Sequence, residues 1–360
     1  MLKAFKYKLY PTNLQEKALT EILETCRLLY NRSLAERRDA WQNEGRSLNY
    51  YDQANTLKEQ RQQNKYLQKI NFSASQDVLR RLNKAFESFF RRIRAGETPG
   101  YPRFKGKNRY NSVTFPSYGD GCKLKNNRLY IQHVGNLKIK LHRPVEGKIK
   151  TVTIRRQSGD WYVSFAVDVA PVVLPLSDNS VGIDLGLENF AITSDGEFFP
   201  NPKHLRKAEP NIKRLQRIVS KRKKGSTRRR KAVNLLAKAH RKVANQRLDS
   251  AHKTARILVD RYGLLAVEDL QIQNMVKNHH LAKSINDAGW NLFVNILTSK
   301  AEEAGRQIIK VDPRYTSQAC SECGQIVKKD LSERWHSCDC GCSLHRDINA
   351  ARNILSRAAA

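Results

Sequence analysis

Three acidic residues mark points where an apolar segment of the chain ends or a helical pattern begins. Asp184 follows the apolar run 181–183, and Glu268 follows the run 264–267. Asp347 opens a helical pattern near the end of the chain. A carboxylate at the end of a buried strand is costly to desolvate unless a cation neutralises it. Because Mg2+ binds carboxylate oxygens readily, the three acids predict a shared magnesium site.

A site of this kind is suited to phosphodiester chemistry. Two divalent ions about 4 Å apart can activate an attacking water and stabilise the leaving oxygen. Each acid also has an ordinary structural alternative: Asp184 can close a turn at a strand end, and Asp347 can be the N-cap of the last helix. Asp269 lies beside Glu268, so either could be the ligand. Strand alternation and the preceding apolar run favour Glu268.

The elements that position these acids alternate between strands and helices, which is typical of an α/β domain. The segment 203–260 is mostly helical, with a break expected at Gly225 and Ser226. The remaining pattern predicts buried strands at 181–186, 263–267 and 307–311, a hairpin with an Asp-Gly turn at 187–199, and helices at 284–304 and 347–357.

The first half of the chain has a different organisation. Residues 3–10 alternate as a strand does, and a helical block follows over 12–95. A loop rich in Gly and Pro at 96–107 separates this block from a series of short strands. Those strands are predicted at 110–116, 128–132, 136–142, 148–156 and 160–168. Short strands with Gly and Asn turns suggest a small β-barrel that the first strand joins, and 171–179 has the composition of a linker.

Five of the seven cysteines lie between Cys320 and Cys342, and the other two, Cys26 and Cys122, are isolated. Such clustering indicates metal binding in a reducing compartment more than a disulfide framework. Cys320 and Cys323 form a C-x-x-C pair, and a second group of cysteines follows at the spacing of a zinc ribbon. Four thiolates would make a closed structural zinc site.

The charge of the chain indicates a polyanionic partner. It carries 66 Lys and Arg against 34 Asp and Glu, a formal net charge of +32. Residues 201–260 contain 20 of these basic residues and three acids. Such a run favours contact with a nucleic-acid backbone, although it can also be a solvated face or a nuclear localisation signal. Basic and aromatic residues interleave at 89–94 and 101–110, where they could stack on unpaired bases or form an ordinary barrel rim.

Three stretches around the acids resemble the motifs of a RuvC nuclease of the TnpB family, the RNA-guided nucleases of insertion sequences related to type V CRISPR effectors. They are Gly182-Ile183-Asp184-Leu185-Gly186, Val267-Glu268-Asp269-Leu270 and Arg346-Asp347-Ile348-Asn349-Ala350-Ala351. Further stretches are similar to the family in the same order along the chain: Tyr10-Pro11, 102–105, 274–278, 285–290 and 316–324.

The resemblance implies an RNA-guided DNA endonuclease with one RuvC site, in which Asp184, Glu268 and Asp347 are catalytic and bind magnesium. It implies a guide RNA and target DNA as partners, and a zinc site of Cys320, Cys323, Cys338 and Cys340. The chain departs from the family's second C-x-x-C-G, because residues 338–342 read Cys-Asp-Cys-Gly-Cys. Cys342 or His336 could therefore replace one ligand.

The domain organisation expected from pattern and resemblance is multidomain α+β. A β-barrel (1–11 with 106–175) contains a helical recognition domain (12–105). An RNase H-like (RuvC) α/β domain (178–316 with 343–360) follows, with a zinc ribbon inserted at 317–342. No apolar run approaches the length of a membrane span, and the start lacks the apolar segment of a secretory signal. We expect a monomeric protein within a ribonucleoprotein, in a prokaryotic cytoplasm and nucleoid-associated when bound to DNA.

Three other functions fit parts of this pattern. A transposase that joins DNA ends would use the same carboxylates, because transesterification and hydrolysis need the same metal site. An RNA-guided repressor would bind without cleavage, which the intact acids argue against. A junction resolvase would need a symmetric dimer and no RNA.

Overall fold

The computed structural model of the chain describes residues 1–330 and 333–359. The chain divides into two units, Met1–Ala170 and Pro171–Ala360. The first unit begins with a strand and four helices and continues with the remaining strands of an antiparallel sheet. Its elements are β1 (Leu2–Tyr10), α1 (Asn13–Glu44), α2 (Tyr50–Gln63), α3 (Lys65–Gln68), α4 (Phe72–Arg94), β2 (Ser112–Phe115), β3 (Cys122–Lys125), β4 (Arg128–Ile131), β5 (Gly135–Lys140), β6 (Lys148–Gln157) and β7 (Asp160–Asp168).

The seven strands of this unit form one sheet in the order β2-β6-β7-β1-β5-β4-β3. Strand β1, first in the sequence, lies between β7 and β5, and the helices connect it to β2, which is not its neighbour in the sheet. The alternating residues Phe5, Tyr7 and Leu9 are buried, and they share a core with α1 and α4. Among the described residues β2 and β3 are the edges of the sheet, which makes it a half-barrel rather than a closed one.

Local sequence explains where the longest helix of this unit begins and ends. Thr12 and Gln15 form a reciprocal capping box, which satisfies two of the N–H groups left free at the start of α1. Gly45 adopts the left-handed conformation at the other end, with φ of 61°. The strand at 3–10 and the helical segment that follows it therefore lie where the sequence predicts them.

The second unit is built on a sheet with helices on both faces. Its elements are β8 (Ser180–Asp184), β9 (Asn189–Thr193), β10 (Phe198–Pro200), α5 (His204–Ser220), α6 (Thr227–Arg261), β11 (Leu264–Glu268), α7 (Ile272–Met275), α8 (His279–Ala288), α9 (Trp290–Ala304), β12 (Gln307–Val311), β13 (Trp335–Ser337), β14 (Ser343–His345) and α10 (Arg346–Ala359). The sheet order is β10-β9-β8-β11-β12, and β8, β11 and β12 are parallel. β13 and β14 form a separate antiparallel pair.

Residue size differs between the two faces of this sheet. Ile183 and Val267 point to the face covered by α6 and α9, in a core that includes Phe293. Ala266 packs on the opposite face with Ile354 of α10. Because strand residues alternate between faces, large side chains meet two helices on one side, whereas small ones admit α10 closely on the other.

The single helix predicted at 284–304 is two helices in the structure. Gly289 lies between α8 and α9 with φ of 72° and ends α8. The side chain of Arg247 lies close to the position that a Cβ on Gly289 would occupy. The left-handed conformation ends α8, and the close neighbour explains why this position is a glycine. The sequence pattern did not predict β3, α7 or the β13–β14 pair.

Candidate active site and cysteine cluster

Asp184 and Glu268 stand at the carboxyl ends of adjacent parallel strands. The register pairs Ile183 of β8 with Val267 of β11, and each acid is the next residue of its strand. Neighbouring strands are separated by about 4.8 Å, so the sheet places the two carboxyl groups side by side. The second acid of the pair 268–269 does not share this position, because Asp269 is exposed.

Asp347 reaches the same edge of the sheet through the close packing of α10 on β8. A Cβ on Gly182 would overlap the carbonyl oxygen of Ala351 and the amide nitrogen of Leu355. Only glycine therefore permits the backbone of the helix to lie directly on the strand. Asp347 lies in the first turn of that helix, where a carboxylate is also favoured by the helix dipole.

The electrostatics of Asp184 reflect this gathering of acids. Burial raises the pKa of Asp184 well above its usual value, and the negative charges of Glu268 and Asp347 raise it further. Arg346 opposes this with its positive charge. In the described residues the three acids do not form a group whose ligand atoms all lie within 4.8 Å of one another. They are electrostatically coupled, with space between the carboxyl groups.

Glu268 has a hydrogen-bond partner that sequence reasoning did not single out. The buried hydroxyl of Thr316 lies 2.6 Å from Glu268 Oε1 and 3.0 Å from the carbonyl oxygen of Pro313. Burial raises the pKa of Glu268, while the hydrogen bond from Thr316 and the charge of Arg357 lower it. Thr316 thus holds one of the two carboxylate oxygens of Glu268.

Two buried asparagines of α10 bind the segment that begins at Thr316. Asn353 donates from Nδ2 to the carbonyl oxygens of Thr316 (2.8 Å) and Ala319 (2.7 Å). Asn349 also donates to Ala319, and its Oδ1 accepts from the amide of Ser321. The two side chains are four residues apart and share one face of the helix. The sequence signal for these positions was partial: Asn349 lies in the stretch 346–351 without any role, and Asn353 lies only in the predicted helix 347–357.

The cysteines expected to bind zinc come together in the structure. The sulfur atoms of Cys320, Cys323, Cys338 and Cys340 all lie within 4.8 Å of one another. Cys320 and Cys340 are 3.7 Å apart, and Cys323 and Cys338 are 3.5 Å apart. Four thiolates at such distances fit a tetrahedral site without an open position.

The surroundings of Cys320 lower the pKa of its thiol. Burial raises its pKa, but hydrogen bonds from the backbone N–H groups of Cys323 and Glu322 and with the side chains of His336 and Cys340 together lower it to about 5. Gly324, with φ of 77°, closes the turn that aims these N–H groups at the sulfur.

Cys342 and His336 form a second group with Cys320, in which the ligand atoms also lie within 4.8 Å of one another. His336 is completely buried. This group offers three ligands among the described residues, whereas the four cysteines offer a complete set. Cys26 and Cys122 are buried in the core of the first unit, and burial raises the pKa of each thiol to about 12.

The basic run divides as its sequence predicts. α5 ends at Ser220 and α6 begins at Thr227 with Ser226 as its N-cap, so residues 221–226 connect the two helices. Lys221, Arg222, Lys223 and Lys224 in this connection are all exposed. Within the part of the chain that is described, none of the helices combines the length and the apolar character required to cross a bilayer.

Comparison with known proteins identifies the class. A family model described as "Probable transposase" matches residues 164–279, a "Cas12f1-like, TNB domain" model matches 290–354, and a "Helix-turn-helix domain" model matches 1–46. The last segment is one strand and a single long helix in this chain. The solved mini-RNA-guided endonuclease CRISPR-Cas_phi3 has a similar fold, with a TM-score of 0.53 at 9% identity over 100% of this chain and 92% of that one.

Two relatives carry the name "Putative RNA-guided DNA endonuclease". The protein from Streptomyces pristinaespiralis is 33% identical, over 98% of this chain and 89% of its own length. InsQ from Escherichia coli (strain K12) is 30% identical, over 99% of this chain and 92% of its own length. The chain belongs to the TnpB family of RNA-guided DNA endonucleases.

Proposed function

We propose that the protein is a transposon-encoded, RNA-guided DNA endonuclease that hydrolyses phosphodiesters with Mg2+ at one RuvC-like site. The observation that carries this proposal is the placement of Asp184 and Glu268 on adjacent strand ends with Asp347 on the helix packed over them. Three coupled carboxylates at one edge of a parallel sheet require a cation to be stable in their charged form.

Different residues of the chain have different roles at this proposed site. Asp184, Glu268 and Asp347 would bind the magnesium ions, and Thr316 orients Glu268 through its hydroxyl. Bound magnesium would supply a more acidic water and neutralise charge on the scissile phosphate. Gly182 keeps α10 close enough for Asp347 to take part.

The domain proposal follows from the same elements. Residues 178–316 with 343–360 form an RNase H-like domain, and 317–342 form a zinc ribbon inserted before the third acid. We assign the structural zinc to Cys320, Cys323, Cys338 and Cys340, because their sulfur atoms form one compact group. This zinc would fix the loop that Asn349 and Asn353 bind, and would take no part in hydrolysis.

Guide RNA and target DNA are the proposed partners. In this division of labour, base pairing supplies the sequence information and the protein supplies contacts to the backbone and to a short flanking motif. The exposed lysines and arginines around 221–231 fit the backbone contacts. The half-barrel and its helices, residues 1–170, are proposed to bind the guide and the flanking motif.

The test is purification of the protein from cells that also contain its transposon end, followed by sequencing of the bound RNA and cleavage of a matching plasmid. Glu268→Gln and Asp184→Ala are expected to retain the RNA and abolish cutting. Asp269→Asn is the matched control, because this exposed acid lies next to Glu268 and should keep its activity. Cutting without any RNA, or full activity of Asp184→Ala, would refute the proposal.

A strand-transfer enzyme is the second candidate, because the family model matching residues 164–279 is described as a transposase. The same purified protein separates the two functions. Joining of cut transposon ends to a target plasmid without RNA would support strand transfer, whereas RNA-dependent linear products would support the nuclease.

A further inference from the structure

A pocket of about 520 Å3 opens in the helical part of the first unit, at the junction of α1 and α4. Its lining includes Trp41, Phe86, Phe89, Phe90 and Tyr101. The volume lies in the range of small-ligand sites. No part of the proposed nuclease chemistry uses these side chains.

The aromatic residues of the pocket form a connected wall. Phe89 contacts Phe90 and Tyr101 edge-on, at ring-centroid distances of 5.2 and 5.4 Å. Phe86 contacts Tyr101 at 5.6 Å. Trp41 stands apart from this group and is 63% exposed. A wall of packed rings with one free indole beside it offers flat apolar faces to a planar ligand.

Arg37 adds an unsatisfied hydrogen-bond donor to the lining. Its side chain is 6% exposed and lies over the ring of Phe86. Nε donates to Gln53 (2.8 Å) and Nη1 donates to Asn83 (3.2 Å). Nη2 is buried and has no hydrogen-bond partner among the described residues. Leaving a buried charged donor unpaired is costly, so a ligand that presents an acceptor at this point would relieve the cost.

Basic residues that follow the lining residues along α4 favour an anionic ligand. Arg91, Arg92 and Arg94 are exposed in the last turn of α4, immediately after Phe89 and Phe90. Glu87, an acid in the lining, accepts a hydrogen bond from Asn83. A ligand that is flat, carries carbonyl or ring-nitrogen acceptors and is joined to phosphates is a nucleotide with an unpaired base.

We propose that this pocket binds one unpaired nucleobase that contacts both its aromatic wall and Trp41, with an acceptor of the base on Arg37 Nη2 and the flanking phosphates on the arginines of α4. The proposal rests on the proposed function only in that the chain binds nucleic acid. The base could come from the guide RNA or from an unpaired DNA strand, which have this chemistry in common.

The test uses photocrosslinking in the complete ribonucleoprotein. One preparation contains guide RNA with 5-iodouracil, and a second contains unlabelled guide with a 5-iodouracil target DNA. After irradiation, mass spectrometry locates the crosslinked residues. Crosslinks at Trp41, Phe90 or Tyr101 are expected in one preparation, and that preparation identifies the source of the base.

Trp41→Ala provides the binding test, because an exposed side chain can be removed without disturbing the core. It should weaken binding of a short single-stranded oligonucleotide by about tenfold, as expected for the loss of one stacking partner. Arg37→Lys should change the preference among oligonucleotides of different base composition. Tyr66→Ala is the control: Tyr66 is an exposed aromatic residue on α3 that does not line the pocket.

Unchanged affinity and crosslinking in Trp41→Ala would overturn the proposal, as would crosslinks confined to other aromatic residues. Protection of Trp41 by a protein segment in the absence of nucleic acid would also overturn it. Failure of the nuclease proposal can be distinguished from failure of this one, because Asp184→Ala should abolish cutting and keep the crosslink at Trp41. If the pocket crosslinks in a protein that does not cut DNA, the proposal of a base-binding pocket is supported and the nuclease proposal is not.

Discussion

The hydroxyl of Thr316 lies 2.6 Å from Oε1 of Glu268, at the distance of a strong hydrogen bond to a carboxylate. Thr316 comes four residues before Cys320, so the segment that leads into the cysteine cluster also fixes an acid of the candidate active site. Asn353 binds the carbonyl oxygen of Thr316 from α10, the helix that carries Asp347. Strand β11, the segment at Thr316 and helix α10 are therefore joined by one hydrogen-bonded network.

Replacing Thr316 by Val should therefore impair cleavage without preventing folding. Valine keeps the shape of the side chain and removes the hydroxyl, so Glu268 loses the group that orients it. Loss of a partner that orients a metal ligand typically costs about 10- to 100-fold in metal affinity or activity. We expect the Mg2+ concentration for half-maximal cleavage to rise, as measured by magnesium titration of the cleavage rate.

Thr298→Val is the control for this experiment. Thr298 is a half-buried threonine of α9 whose hydroxyl donates to the carbonyl oxygen of Val294 in its own helix. Its substitution should leave the magnesium titration unchanged. Equal titration curves for Thr316→Val and the native protein would show that Glu268 does not depend on Thr316.

Gly182→Ala should destabilise the second unit, because the added Cβ would overlap the backbone of α10 at Ala351. Helix and strand backbones cannot relax as a flexible side chain does. The cost should reach about 3 kcal/mol, the upper end of the usual range for overpacking. Amide hydrogen exchange measures the effect locally, and faster exchange is expected in α10.

Gly100→Ala serves as the matched substitution. A Cβ there meets only the end of the Arg92 side chain, at 4.0 Å. Exchange in α10 should not change. Native-like protection of α10 in Gly182→Ala would mean that the helix does not depend on this close approach.

The acids of the site predict an unusual dependence of stability on pH. Burial and the neighbouring carboxylates raise the pKa of Asp184. A raised acid pKa favours the folded state at low pH, and this contribution is lost as the pH rises through the folded-state pKa. At neutral pH, with divalent cations chelated, Asp184→Asn should therefore raise the midpoint of thermal unfolding. The gain should shrink toward pH 4.

Asp249→Asn gives the comparison for this prediction, because Asp249 is an exposed acid of α6 paired with Lys253. Its removal should change the midpoint little at any pH. If Asp184→Asn lowers the midpoint of the chelated protein at neutral pH, the three acids are not in repulsive contact.

Sequence reasoning located the acids correctly on their elements because burial of a strand leaves a continuous apolar run. Asp184 and Glu268 both end such runs, and both end strands. The preference for Glu268 over Asp269 came from strand alternation, and it agrees with the exposure of Asp269. The catalytic assignment itself remains a prediction.

Other features were not accessible from the sequence for a physical reason. Thr316, Asn349 and Asn353 act through hydrogen bonds between segments distant in the chain, and no periodicity records such bonds. The half-barrel has unpaired edges because of how the strands are ordered in space. The side chain of Arg247, which comes from a different helix, lies where a Cβ on Gly289 would be.

The last prediction concerns the cysteine that completes the zinc site. Cys340 belongs to the group of four sulfur atoms, whereas Cys342 belongs to the group with His336. Cys340→Ser should therefore lower the zinc content of the purified protein well below one ion per chain, as measured by atomic emission. Cys342→Ser should keep one ion, because the four ligands remain.

The consequence for the active site provides a second measurement. Asn349 accepts from the amide of Ser321, so the loop that the zinc would fix is bound to the helix of Asp347. Cys340→Ser should speed amide exchange at the start of α10 and reduce cleavage, and Cys342→Ser should do neither. If the zinc content falls in Cys342→Ser and not in Cys340→Ser, then Cys320, His336 and Cys342 are ligands, and the C-x-C-G-C sequence has moved the site by one cysteine.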